Sequence, residues 1–288
     1  MIKLDAIHCP KIWGYEDWIA STHIDGCQKE FLDFVKADYP LIVKVIKADS
    51  TLSVQVHPDD KDAEELEGKG IRGKTECWYI LDATPDAKLV YGLKPDATCQ
   101  KIADDIKSGT LEKDLHFVNV KKGDFIFIPS GTVHAIGGGI KLLEIQQSSN
   151  VTYRLYDWNR GRELHVEKSL KVLSSKSMSK MLPEIQHFDK NFTCKYFALE
   201  LLSGTNLKAD ETTLLFLLEG NNVNVESSDG TKLVVEKENI IAVKAGEELK
   251  FSGNGTFMKI VAKEIIMEDY VFPQYYIPNA AGTIRRIL

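Results

Sequence analysis

The sequence is short of the features that mark several protein classes. Its five cysteines (Cys9, Cys27, Cys77, Cys99 and Cys194) are odd in number and widely spaced, with no Cys-x-x-Cys pair. That argues against a disulfide framework or a thiolate zinc site and fits a reducing, cytoplasmic setting. Positive charge is not in excess: the formal net charge is −6, which counts against nucleic acid as a partner. No apolar run is long enough to cross a bilayer, and Met1-Ile2-Lys3-Leu4-Asp5 lacks the hydrophobic stretch of a signal peptide. No low-complexity tract or short-period repeat is visible. Histidine is scarce, seven in 288 residues. None falls between Lys195 and Lys263.

What is present is mostly strand-forming. Leu41–Lys47, Leu52–His57, Glu76–Leu81, Lys88–Tyr91, His116–Val120, Phe125–Pro129, Lys141–Gln147 and Val151–Tyr156 are short β-branched or alternating runs punctuated by Gly, Pro and Asp. Helices are expected over Lys29–Ala37, Asp59–Glu67, Ala97–Ser108 and His165–Ser174, the third with Asp96 or Thr98 as its cap. Beyond Met181-Leu182-Pro183 a second strand series runs from Lys195 to Lys263. An aromatic tail follows, carrying Tyr270, Phe272, Tyr275 and Tyr276. The expected architecture is mainly β: a jelly-roll barrel with helical insertions over 1–180 and a second, smaller barrel over 181–288.

Alternation along Leu52–His57 sends Gln55 and His57 to one face and Val54 and Val56 to the other. Glu76 opens a later hydrophobic strand. The most specific signal is the run Gly123-Asp124-Phe125-Ile126-Phe127-Ile128-Pro129-Ser130-Gly131-Thr132-Val133-His134. It reads as a turn, a strand and a tight bend whose exit strand carries His134 inward. This is the second cupin motif, with Gly138 where its terminal Asn would stand. Gln55-x-His57 replaces the usual His-x-His of the first. Gln55, His57, Glu76 and His134 together offer nitrogen and oxygen donors suited to Zn, Fe or Mn with an open coordination position. Taken singly, His57 reads as a surface residue, Glu76 as a partner of Lys74, and His134 as a hydrogen-bonded core side chain. The four at these spacings are better explained as one site.

Several further runs carry a family resemblance: Pro40-Leu41-Ile42-Val43-Lys44, Gln55-Val56-His57-Pro58-Asp59-Asp60, Gly73-Lys74-Thr75-Glu76-Cys77-Trp78-Tyr79, Pro129–Ala135 and Tyr153-Arg154-Leu155-Tyr156-Asp157. Together with Trp13-Gly14 they resemble type I phosphomannose isomerase in its short bacterial branch, strongly over about residues 10–175. The resemblance implies one zinc ion per chain, held by Gln55, His57, Glu76 and His134. It also implies an active site lined by Lys44, Lys74, Glu144, Arg154 and Arg160. Where many members carry Asp four residues before the arginine, this chain has Asn150, and its tail beyond Glu264 has no counterpart.

The implied reaction interconverts mannose 6-phosphate and fructose 6-phosphate through an enediol. It needs a Lewis acid on the C1 and C2 oxygens, a base, and fixed positive charge. Zinc suits the first and Arg154 the third. Lys74, Glu144 and Lys44 are the candidates for proton transfer. A lysine beside a metal and an arginine is expected to have a lowered pKa. Arg160, with a nearby lysine, is a candidate for the phosphate. The other readings are an iron cupin oxygenase, a non-catalytic sugar-binding or regulatory cupin, and an isomerase for a different sugar. A monomer or homodimer is expected.

Overall fold

The computed structural model describes residues 1–175, 185–263, 276–278 and 284–286. The expected domain junction near Met181 lies outside these residues, as does most of the aromatic tail. The chain is mainly β, with its strands in antiparallel sheets, and it divides into two compact units. One comprises Cys9–Glu16 and Val45–Phe188; the other comprises Met1–His8, Asp17–Lys44 and Asp189–Leu288. Among the described residues no helix is long and apolar enough to cross a membrane.

In the first unit, strands Tyr153–Tyr156, Val54–Val56, His134–Ile136, Lys88–Leu93 and Leu115–Asn119 pair in that order. Opposed to them, Ile140–Gln147 pairs with Glu76–Ala83, which pairs with Asp124–Ile128. Alternation decides which side chains are enclosed. Trp78, Ile80, Ile126, Ile128 and Leu142 join Leu89, Tyr91 and Ile136 in one buried cluster. On the reverse face of the five-stranded sheet, Val54, Val56, Val90 and Ala135 pack with Ile102, Ile106, Val172 and Leu173. Those four come from the helices Cys99–Ser108 and Val166–Ser175. Each fully buried aliphatic chain contributes about 1.5–3 kcal/mol, so this second layer holds the sheet flat-side in.

Helix ends follow local chemistry. Asp59 caps Asp60–Glu67 by accepting from the Asp62 N–H, and Thr98, not Asp96, caps Cys99–Ser108. The expected Leu52–His57 strand is confined to Val54–Val56. Plain alternation along Val151–Tyr156 would put Thr152, Arg154 and Tyr156 on one face, but the structure departs from it. Thr152 precedes the strand, and a register shift between Arg154 and Tyr156 turns Tyr156 into the helix-covered core. Arg154 is left as the polar member of that face.

The second unit is a two-sheet stack. Ile2–Leu4, Ile240–Val243, Thr213–Gly220, Gly255–Ala262, Phe197–Leu202 and Asn191–Thr193 form one sheet. Asn206–Lys208, Glu248–Ser252, Val223–Ser227 and Lys232–Val235 form the other. Leu215, Leu217 and Ile241 from the first meet Val223, Val225 and Leu249 from the second. The N-terminal strand, unexpected from its short mixed sequence, is a sheet edge against Ile240–Val243.

Candidate metal centre

His57, Glu76 and His134 each aim a ligand atom at a common point, those atoms lying within 4.8 Å of one another. All three are essentially enclosed. Strand register brings them there. His134 stands directly opposite Gln55, Arg154 stands opposite Gln55 on its other side, and Gln146 stands opposite Glu76. Residues directly opposite on antiparallel strands share a face. On the opposed sheet the face holding Glu76 and Gln146 continues into Trp78 and Glu144, then into the apolar Ile80 and Leu142. The site therefore sits at the polar end of a hydrophobic floor. This accounts for Leu142 sharing a strand face with Glu144.

The bend before His134 is tied to His57: Gly131, with φ +83°, donates its N–H to the His57 carbonyl at 2.8 Å. Both imidazoles are oriented by backbone. His57 Nδ1 is 2.9 Å from Val151 O and His134 Nδ1 is 2.9 Å from Thr132 O. A carbonyl only accepts, so each Nδ1 carries the proton and each Nε2 presents a lone pair. Burial pushes the His134 pKa down to about 4, which keeps the ring neutral. His134 Nε2 faces Glu76 Oε1 at 3.3 Å, and His57 Nε2 lies 3.7 Å from Glu76 Oε2. Two imidazole lone pairs and a carboxylate turned to one enclosed space favour a cation among them. Two neutral imidazoles and one carboxylate are a donor set for a divalent metal with an open position. The residues present fit the zinc that the resemblance implies. The Gln55 amide nitrogen reaches His134 Nε2 at 3.2 Å; with the amide turned over, its oxygen would be a fourth donor.

Lys74 supplies a cation inside this cluster, its Nζ 2.7 Å from Glu76 Oε2 and 3.2 Å from His57 Nε2. Burial works to lower its pKa, but Glu144 and Glu76 outweigh burial and raise it. This is the reverse of the lowering expected beside a metal and an arginine, because in the chain alone carboxylates are its nearest charges. Glu144 accepts from Trp78 Nε1 at 3.1 Å.

The segment before Glu76 is fixed by Gln147 and Asp60. Gln147 accepts the Thr75 N–H at 2.9 Å and donates to Asp60 Oδ1 at 2.9 Å, and Asp60 Oδ1 also accepts the Gly73 N–H at 3.0 Å. Gly73 is required by close approach, since a Cβ there would lie 2.3 Å from the Asp59 carbonyl carbon. Only the continuation of the Lys141–Gln147 run hints at Gln147, and nothing in the sequence links it to Asp60.

The arginines form a second group. Arg154 donates from Nη1 to Glu163 O at 2.7 Å, while its buried Nε has no hydrogen-bond partner among the described residues. Burial, then Arg162 and Arg160, lower its pKa against the pull of Asp157; a guanidinium stays charged regardless. Arg160 directs Nε and Nη2 to Asp157 and Nη1 to Thr51 O. Arg162, not singled out from sequence, grips the same carboxylate at 2.8 and 2.5 Å. The loop between them places Trp158 and Asn159 at positive φ, held by Trp158 Nε1 on Leu52 O at 2.6 Å. Lys44 is buried on the Leu41–Ala48 strand, its ammonium 4.5 Å from the Trp18 ring centroid, and it groups with the other compact unit. Asn150 is exposed.

Residues 6–84 match the family model for the catalytic domain of type I phosphomannose isomerase. Mannose-6-phosphate isomerase ManA of Bacillus subtilis (strain 168) is 47% identical over 146 residues, 49% of this chain and 46% of that protein. Mannose-6-phosphate isomerase of Streptococcus mutans serotype c is 45% identical over 142 residues, 47% of this chain and 44% of that protein. The chain thus spans about half the length of the curated relatives it matches. The crystal structure of the mannose 6-phosphate isomerase from Bacillus subtilis has a TM-score of 0.75 and 25% identity, covering 90% of this chain and 99% of that one. Over residues 6–84 the chain is similar in sequence to the catalytic domain of type I phosphomannose isomerase, and over 90% of its length it is similar in fold to the Bacillus subtilis enzyme.

Proposed function

We propose that this chain is a zinc-dependent isomerase that interconverts mannose 6-phosphate and fructose 6-phosphate. The observation that carries the proposal is the convergence of two proton-free imidazole nitrogens on Glu76, beside a buried lysine and a second carboxylate. Zinc bound by His57, Glu76, His134 and Gln55 would supply a Lewis acid for the C1 and C2 oxygens.

The chain's own groups supply the rest. Aldose–ketose exchange takes a proton from the carbon beside the carbonyl, passes through an enediol and returns a proton to the neighbouring carbon. Glu144, oriented by Trp78, is the group suited to accept and return that proton. Lys74, whose charge Glu144 reinforces, suits proton donation to oxygen and stabilises negative charge as it develops. Arg154 adds a permanent charge with an unspent donor. Arg160 and Arg162 share the single Asp157 carboxylate. They leave a surplus positive charge as the anchor for phosphate. Lys44 has no assigned step in this scheme.

The test is a coupled assay of mannose 6-phosphate conversion before and after chelation, with zinc added back, for the wild type and Arg154→Ala. Activity that is lost with chelator and restored by zinc is expected. Arg154→Ala should keep its zinc and lose about a hundredfold or more in kcat, the scale of removing a charge-stabilising donor. A folded, zinc-loaded wild type without turnover would overturn the proposal in favour of a sugar-binding cupin.

A further inference from the structure

Lys74 occupies the place from which a metal would be held. A neutral imidazole has one in-plane lone pair. His57 spends its Nδ1 proton on Val151 O, so the lone pair at Nε2 is both the only metal-binding atom of that ring and the atom Lys74 Nζ approaches at 3.2 Å. The same Nζ lies 2.7 Å from Glu76 Oε2. An ammonium hydrogen and a metal ion cannot share one lone pair, and two cations within bonding distance of the same carboxylate oxygen repel. Glu76 is fully enclosed, and a buried carboxylate stripped of its cation is strongly destabilising.

From this geometry, and resting on the metal reading above, we infer that Lys74 is a built-in counter-ion for the metal-free site, displaced from His57 and Glu76 when the metal enters. The exchange has two consequences. In the metal-free chain Lys74 keeps the ligand cluster neutralised and assembled. In the loaded chain its ammonium is released from Glu76 Oε2 and His57 Nε2, the two atoms it touches here. Loading the metal and arming the lysine then become one event. A protein without metal holds its lysine out of use.

The experiment measures zinc affinity by competition with a chromogenic chelator, and thermal unfolding of both metal-free and zinc-loaded protein, for the wild type, K74M and K74R. K74M removes the competitor while keeping the length of the side chain. It should bind zinc at least about tenfold more tightly, a coupling of about 1.4 kcal/mol. It should also lower the Tm of the metal-free form and leave that of the loaded form unchanged. K74R keeps a cation against Glu76 and His57 and should bind zinc no more tightly than the wild type. Lysine acylation followed by mass spectrometry gives a readout on the wild type alone, with labelling of Lys74 rising severalfold on zinc loading. Unchanged zinc affinity in folded K74M, an equal loss of Tm in both forms, or zinc-independent labelling of Lys74 would each overturn the inference. A wild type that takes up no zinc would instead remove the metal reading, and this exchange with it.

Discussion

Gln55 and His134 face each other across antiparallel strands, with the Gln55 amide nitrogen 3.2 Å from the lone-pair nitrogen of His134. The amide donates to that lone pair; in the proposed metal site it would be turned over, with its oxygen as the donor. Gln55→Leu removes the proposed oxygen ligand but only one partly enclosed hydrogen bond. The metal-free variant should therefore stay within about 1 kcal/mol of wild-type stability. Its zinc affinity should fall by about tenfold or more, read by chelator competition. Unaltered affinity would show that Gln55 does not ligate.

Gln147 and Gly73 hold the segment that carries Lys74 and Glu76. Gln147→Leu leaves the Thr75 N–H and one Asp60 interaction without their partner, a loss of about 2–4 kcal/mol. Gly73→Ala forces a methyl against the backbone of Asp59 and Asp60, and a shift there moves Glu76 out of line. Both variants should show lower urea midpoints and weaker zinc binding. Gly73→Ala with wild-type zinc affinity would count against a rigid segment.

Asp157 answers for acid sensitivity. Burial alone would raise its pKa, but hydrogen bonds from Arg162 and Arg160 outweigh burial and lower it from 3.8. A carboxylate depressed in the folded state stabilises the fold above its unfolded pKa, and that contribution is lost as pH falls through the folded value. The window is therefore below about pH 4. At neutral pH Asp157→Asn should cost about 2 kcal/mol, since two guanidinium groups lose their shared anion. The gap from wild type should close as pH drops below 4. Urea unfolding at both pH values checks this; a gap that is constant with pH would contradict it.

Much of the candidate site is legible before folding. The Gly123–His134 run and Gln55-x-His57 are local patterns, because turn chemistry and two-residue alternation operate over a few neighbours. Gln147, Asp60, Asp157 and Arg162 are not legible in this way. Each acts through a partner whose relevance appears only once strands are in register. The Gln147–Asp60 contact spans 87 residues, and Arg162 is indistinguishable from any loop charge until Asp157 is seen buried beneath it. Alternation misled at Tyr156, where a bulge, invisible in composition, reversed the face.

By itself the sequence determined the mainly β character, the four expected helices to within a residue or two at most ends, and that His57, Glu76 and His134 belong to one cluster. These follow from periodicity, capping and side-chain chemistry, which depend on near neighbours. Only the tertiary structure decided that Ile2–Leu4 closes a sheet edge against Ile240–Val243, and that Lys44 groups apart from Lys74. It also decided that Lys74 lies on the metal ligands with its charge reinforced rather than weakened. Strand pairing between distant segments and the balance of burial against nearby carboxylates depend on three-dimensional distance, and local pattern carries no distance.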